Sequence, residues 1–122
     1  MYYSESTEHY LKTILKLQMR LNCVHAVDIA LEMNVTKASV SRALKKLKAN
    51  GDITVAQDGG IVLNPCGYAA ASKVSETYRD LVAVLERIGV SDGTAQEDAC
   101  RMEHALSEET HRRLKEYFSD AL

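Results

Sequence analysis

Cys100, Glu103 and His104 stand within five residues of one another in the stretch ACRMEHALS, residues 99–107. On a helix, positions i, i+3 and i+4 share a face, so a thiol, a carboxylate and an imidazole there point toward a common spot. That donor set suits a borderline divalent cation. Thiolate and imidazole favour iron, cobalt, nickel or zinc, and carboxylate also suits manganese. Three ligands from one helix leave the coordination sphere open, and the other imidazoles are His9, His25 and His111. His9, near the start of the first predicted helix, is the best placed to complete the set. The plainer alternative has Cys100 buried as a small hydrophobe, with Glu103 and His104 on the surface.

A second set of chemically capable residues lies in TKASVSRALKKLKAN, residues 36–50, which holds five basic residues and no acidic one. Residues 91–122 hold eight acidic and four basic residues, so the overall net charge of -2 conceals a strong asymmetry. A basic patch on one element with an acidic remainder fits a DNA reader with a separate regulatory part. With the start of such a helix in the major groove, Thr36, Ala38, Ser39 and Arg42 face base edges. Arg42 can pair with guanine, Ala38 can touch a thymine methyl and Ser39 can donate or accept. Lys37, Lys45, Lys46 and Lys48 are expected on phosphates, and Ser41 shares their outward surface.

The elements that must position these residues follow from periodicity. Residues 6–21 carry Leu11, Ile14, Leu15, Leu17 and Leu21 near a 3.6-residue period, with Ser6 or Thr7 as N-cap. A short second helix uses Val27, Ala30, Met33 and Val35 and stops near Asn34, a residue that tolerates the left-handed conformation. Thr36 caps a third helix, whose inward stripe is Val40, Ala43, Leu44 and Leu47 and whose stop is Asn50-Gly51. Two β-prone runs, Ile53–Ala56 and Ile61–Leu63, meet through Asp58-Gly59-Gly60, which supplies the positive φ angles of a tight hairpin. Helix, helix, helix, hairpin is the order of a winged helix-turn-helix, with the basic helix as its reading element.

Asn64 and Pro65 then open a long helix as N-cap and first-turn pair. It runs to Ile88, stops at Gly89, and carries a stripe of Tyr68, Ala71, Val74, Tyr78, Leu81, Val82, Leu85 and Ile88, broad enough for a core and part of a subunit contact. A further helix is expected over 94–106, and Ser107 caps a last one with Glu108 and Glu109 in its first turn. Two domains are expected, 1–64 for DNA binding and 65–122 all helical. Each is near the lower size limit of independent stability, which favours dimerisation.

Composition excludes other classes. No run approaches the roughly 18 apolar residues that a bilayer span needs, and MYYSESTEHY has neither a basic segment nor an apolar h-region, so the expected location is cytoplasmic. Three widely spaced cysteines without an export signal are expected as free thiols. A metal-dependent hydrolase would need an open coordination position and a general base, and no HExxH is present, so no enzyme is expected.

On these segments the chain resembles the diphtheria-toxin-repressor family of metal-dependent transcriptional repressors, which includes the manganese transport regulators. STEHYLKTILKL is similar to the family's opening helix, VDIALEMNVTKASVSRALKKLKANGDI to its helix-turn-helix, and EDACRMEHALSEETHRRL to its metal-binding helix and the segment after it. The resemblance implies a mainly α fold, an N-terminal winged helix-turn-helix followed by an all-α dimerisation and metal-binding domain, in a short form lacking the SH3-like domain. It implies Cys100, Glu103 and His104 as metal ligands, and His9, just before Tyr10, in the place of the family's opening-helix ligand. The partners it implies are double-stranded DNA carrying a palindromic operator and a second copy of the chain, with no membrane and no small organic substrate. One divalent transition metal per subunit is expected, Fe2+ favoured by the soft nitrogen-rich set, with Zn2+, Co2+ or Mn2+ as alternatives.

The chain departs from the family at the second metal position, where it is read to hold Tyr78, Val82 and Gln96, and at Lys12, where manganese regulators carry an acid. Two alternatives remain, a winged-helix regulator without metal control and a thiol redox sensor acting through Cys100 beside His104.

Overall fold

The computed structural model describes residues 4–122. They form two units, one running to Ser72 and the other from Lys73 to Leu122. The first holds α1 (Glu5–Gln18), α2 (Ala26–Met33), α3 (Lys37–Ala49), β1 (Ile53–Val55), β2 (Ile61–Leu63) and the opening turns of α4 (Pro65–Arg87).

α1 turns Tyr10, Leu11, Ile14 and Leu17 into the core. Its N-cap is Ser4, whose Oγ accepts from the Thr7 N–H at 3.2 Å, rather than Ser6 or Thr7. All three hydroxyl residues are competent caps; moving the cap to Ser4 puts Thr7 inside the helix, where it is buried. The helix also ends earlier than expected, at Gln18, which leaves Leu21 exposed. α2 buries Ile29, while Val27, expected to face inward, is exposed beside Leu31. Glu32 ties α2 back to α1 through Lys16 at 3.0 Å and Arg20 at 2.7 Å. Asn34 ends α2 in the left-handed conformation, φ 55°, as expected.

β1 and β2 pair antiparallel, with Ile53 opposite Leu63 and Val55 opposite Ile61. Ile53, Ile61 and Leu63 face the core and Thr54 and Val62 face out, the period-two alternation of a half-buried hairpin. Gly59 supplies the positive φ of the turn, +90°. The Ile61 N–H also donates to the Val24 carbonyl at 2.8 Å, adding the connector between α1 and α2 as a third extended segment.

Asn64 holds the N-cap position expected of it, its carbonyl accepting from the Tyr68 N–H, but its side chain does not cap: Oδ1 accepts from the Thr54 hydroxyl at 2.7 Å and Nδ2 donates to the Gly51 carbonyl at 3.0 Å. The residue thus braces the hairpin against the end of α3. Gly67, one turn into α4, lies directly against the Asp52 backbone carbonyl, so only a residue without Cβ allows that approach.

The second unit contains the rest of α4, α5 (Asp92–Met102) and α6 (Glu108–Tyr117). α4 buries Val74, Thr77, Leu81 and Val84; Tyr68 and Ile88, expected on its inner stripe, are exposed. Gly89 closes α4 at φ +102°. α5 starts at Asp92 behind Ser91, two residues before the expected start, because a glycine in the first turn costs little where no ladder bond depends on it. It ends at Met102, with Glu103 as C-cap, instead of running on to Leu106. Ser107 caps α6 as expected, accepting from the Thr110 N–H at 3.1 Å. Ion pairs tie α4 to α6 and the residues just after it: Lys73–Glu108 at 3.0 Å, Glu76–Lys115 at 2.7 Å and Arg87–Asp120 at 2.7 Å. Among the described residues no helix is long and apolar enough to cross a membrane.

Two glycine substitutions separate close approach from propensity. Gly67→Ala is expected to cost about 1–3 kcal/mol by pressing Cβ onto the Asp52 carbonyl. Gly93→Ala, which meets nothing within 4 Å, is expected to be neutral or to stabilise by up to about 1 kcal/mol. Denaturant midpoints measure both.

Candidate metal centre and nucleic-acid interface

Thr36 caps α3 by accepting from the Ser39 N–H at 3.1 Å, and Asn50 and Gly51, φ +81°, close it. Val40 and Leu47 are buried, with Ala43 and Leu44 packed beside them, so the apolar stripe fixes the rotation of the helix. Thr36, Lys37, Ala38, Ser41, Arg42, Lys45, Lys46 and Lys48 are left exposed and Ser39 half-buried. The Ser39 hydroxyl accepts from the Thr36 hydroxyl at 3.0 Å and from Arg42 Nη2 at 3.3 Å. These bonds hold the guanidinium over the first turn, beside the residues expected at base edges. Lys46 and Lys48 also lie in the last turn, where the helix dipole favours cations.

In the second unit Cys100 is half-buried on α5, and its sulfur lies within 4.8 Å of a Glu103 carboxylate oxygen. His104 follows the helix end, in a turn, with Nε2 at 3.2 Å from Glu103 Oε1. The surface placement of Glu103 and His104 considered from sequence does not hold: their side chains are 0% and 3% exposed. What exposure His104 retains is therefore in its backbone. A carboxylate and an imidazole removed from water are costly unless mutually compensated, and here they face one another. Thiol, carboxylate and imidazole of this kind fit a borderline divalent cation.

His9 lies on α1 in the first unit, half-buried, and its carbonyl accepts from the Thr13 hydroxyl at 2.8 Å. Tyr78 and Val82 are half-buried on α4, and Gln96 is exposed on α5 with its amide donating to Asp92 at 3.3 Å. None of these three side chains carries the imidazole or carboxylate that a second metal position would use.

His111 has a different fate. It is buried on α6 with Nε2 at 2.7 Å from Asp80 Oδ2, and Glu76 lies close enough for the three to form a ligand-like group. Lys115, however, donates to Glu76 at 2.7 Å and holds its carboxyl below the usual range, with His111 and Lys73 adding to the effect. Glu108 is lowered in the same way by Lys73, and Lys115 is raised by Glu76. Protein cations already occupy this cluster, and it reads as a structural clamp between α4 and α6.

Sequence reasoning missed one further group. Cys23, His25 and Asp58 have donor atoms within 4.8 Å of one another beside the hairpin turn. The signal was the Cys-x-His spacing at 23–25; the third member lies 33 residues on and is brought in only by the hairpin.

Three helices and a hairpin with a basic third helix, followed by a helical unit, define a winged helix-turn-helix protein with a C-terminal helical extension. Residues 3–61 match the family described as iron dependent repressor, N-terminal DNA binding domain, and residues 64–121 match iron dependent repressor, metal binding and dimerisation domain. The chain belongs to the iron-dependent repressor family. An uncharacterized HTH-type transcriptional regulator of Methanocaldococcus jannaschii is 32% identical over 92% of this chain and 91% of its own length. The diphtheria toxin repressor of Corynebacterium diphtheriae is 29% identical over 95% of this chain and 52% of its own length. Among solved structures, the manganese regulator SloR is 26% identical with a TM-score of 0.81, covering 98% of this chain and 55% of that one. IdeR of T. acidophilum is 28% identical with a TM-score of 0.81, covering 92% of this chain and 53% of that one. The chain thus spans about half the length of the diphtheria toxin repressor and of these solved regulators.

The clamp between α4 and α6 carries a pH signature. Glu76 and Glu108 have lowered folded values, so their stabilisation is complete above the unfolded value, 4.5, and is lost as pH falls through the lowered folded values. Urea unfolding of parent and Glu76→Gln between about pH 7 and pH 3 is expected to show a shallower acid loss in the variant, with the two converging at the acid end.

Proposed function

We propose that the chain is a metal-dependent, DNA-binding transcriptional repressor that acts as a homodimer. The observation that carries the reading is the pairing of two features in one polypeptide. One is a capped basic helix with its reading residues exposed; the other is a buried carboxylate–imidazole pair beside a thiol. The family membership and the regulators it resembles support the same assignment.

On this reading α3 lies in the major groove. Arg42, held over the first turn by Ser39, contacts guanine, and Ala38 and Ser39 contact neighbouring base edges. Thr36 also faces base edges, while Lys37, Lys45, Lys46 and Lys48, with Ser41 on the same outward surface, fix the position on the phosphates. Cys100, Glu103 and His104 are the ligands of a divalent cation, Fe2+ in first place, with Zn2+, Co2+ or Mn2+ as alternatives, and His9 is the fourth ligand by resemblance. A bound cation supplies the positive charge that lets anionic donors share one point. Glu103 orients the His104 imidazole through their 3.2 Å contact, and the end of α5 sets the spacing from Cys100. A thiol within 4.8 Å of a carboxylate that itself faces an imidazole is a donor set for a borderline divalent cation, which favours a metal sensor over a bare-thiolate redox sensor. Dimer geometry is the output: two reading helices engage a palindrome only when set about one DNA turn, or a multiple of it, apart. Domain boundaries near residue 64 and a cytoplasmic location belong to the same proposal.

The experiment is fluorescence anisotropy with duplexes selected from a random pool in the presence of Fe2+, with and without chelator. Metal is expected to raise affinity by about 5–150-fold, the range of ordinary coupling energies, and Glu103→Gln or His9→Ala is expected to abolish that gain. Arg42→Ala is expected to relax preference at one base pair, a loss of about 1–3 kcal/mol of discrimination. Lys46→Ala is expected to weaken all duplexes alike and to lower the salt slope by about 1. Equal DNA affinity with and without every candidate ion overturns metal control.

A further inference from the structure

The geometry points to a second transition-metal site, on the winged unit, formed by the Cys23 thiolate, the His25 imidazole and the Asp58 carboxylate. It does not rest on the reading of Cys100, because every residue it uses lies in the first unit.

The site arises from strand alternation. Cys23 and His25 flank Val24 in the connector between α1 and α2, with Cys23 in a bend, and Val24 bridges to Ile61 of the hairpin and is 1% exposed. Neighbours on either side of an inward residue point to the opposite face, so burying Val24 drives Cys23 and His25 out together. Cys23 Sγ and His25 Nε2 are 4.0 Å apart. The hairpin turn then delivers Asp58 to the same face, within 4.8 Å of both.

The donors are placed by local contacts. Asp28 Oδ2 accepts from the His25 backbone N–H at 2.8 Å and lies on the Nδ1 side of the ring at 4.0 Å, beyond hydrogen-bond distance, while Nε2 is the nitrogen that faces Cys23 Sγ. Asp58 Oδ1 accepts from the Gly60 N–H at 2.9 Å, which anchors the carboxylate to the turn and leaves it further lone pairs. Cys23 Sγ lies where a Cβ on Gly60 would sit 2.8 Å away, so the thiol packs against the one residue type that admits it.

The donor chemistry selects the ligand. One thiolate, one imidazole and one carboxylate favour Zn2+, Co2+ or Fe2+ over Mg2+ or Ca2+. Sulfur and nitrogen bonds of about 2.3 and 2.0–2.1 Å in tetrahedral geometry put those two donors roughly 3.6 Å apart, so closure by a few tenths of an ångström suffices. The Cys23 thiol gives its proton to solvent as the sulfur–metal bond forms, and water completes the sphere on the exposed side. Unlike Glu76 in the cluster at His111, Asp58 has no lysine or arginine paired with it among the described residues. A bound ion joins the wing turn to the connector that leads into the reading helices.

The test is titration of the reduced, metal-free full chain with Co2+, following thiolate-to-cobalt charge-transfer absorption. The parent is expected to take up two equivalents with thiolate bands, Cys23→Ser one equivalent fewer, and Cys100→Ala to keep the band that Cys23→Ser loses. Asp58→Asn, which preserves the acceptor for Gly60, is expected to weaken that equivalent by about 10-fold or more. Far-UV circular dichroism of each variant confirms folding. Unchanged stoichiometry and band amplitude in Cys23→Ser overturns the site, as does loss of the whole band in Cys100→Ala. Loss of the whole band in Cys23→Ser, with Cys100→Ala unaffected, sustains this site and defeats Cys100 as a ligand.

Discussion

The second unit depends on the compensation of buried polar groups. Its described buried side chains are Val74, Thr77, Leu81, Val84, Ala95, Ala99, Glu103 and His111, of which only three are large and apolar. A core of that kind supplies little hydrophobic stabilisation, so the pairing of Glu103 with His104 and of Asp80 with His111 decides whether the arrangement holds. Buried ionisable pairs add little net stability, but losing one partner strands the other in a poorly solvated place. Such a unit is specified by geometry more than by bulk burial, which suits an element whose state responds to a small ligand.

The two ends of the chain divide the electrostatic work. α3 gathers five basic residues and its apolar stripe is narrow enough to leave them all facing water. The acidic remainder keeps net charge near neutral, so attraction to a polyanion is local to one helix and does not spread over the whole surface. The first unit is also held by well-spent polar contacts: Glu32 on Lys16 and Arg20, and Asn64 between Thr54 and Gly51. None of these contacts uses Arg42 or Lys46.

Much of the fold was legible because punctuation residues act locally. Asn34, Gly51, Gly59 and Gly89 all take the positive φ that their positions suggested, and Thr36 and Ser107 cap the helices expected of them. The misreadings share one cause: several residues could serve locally and tertiary packing chose among them. Ser4, Ser6 and Thr7 are all possible caps, and the one used is Ser4, which leaves Thr7 buried within the helix. Asn64 does precede α4 as its N-cap residue, and only its side chain is drawn away, by groups from the hairpin and the end of α3. At the candidate metal centre residue types were legible but burial was not, since nothing local says that Glu103 and His104 lie inside.

The three imidazole clusters show what separates a clamp from a ligand set. His104 and His25 each face a carboxylate with a thiol nearby, whereas in the cluster at His111 the Glu76 carboxylate is already met by Lys115. A lysine ammonium and a divalent cation compete for the same oxygens, and the lysine is tethered at high local concentration, so a carboxylate seated on one is a poor ligand. A thiol changes the balance in the other direction, because lysine gains little from sulfur while zinc-like ions gain a strong bond. The ammonium already resident on Glu76 thus sets the cluster at His111 apart from those at Cys100 and Cys23, where a sulfur donor favours a zinc-like ion.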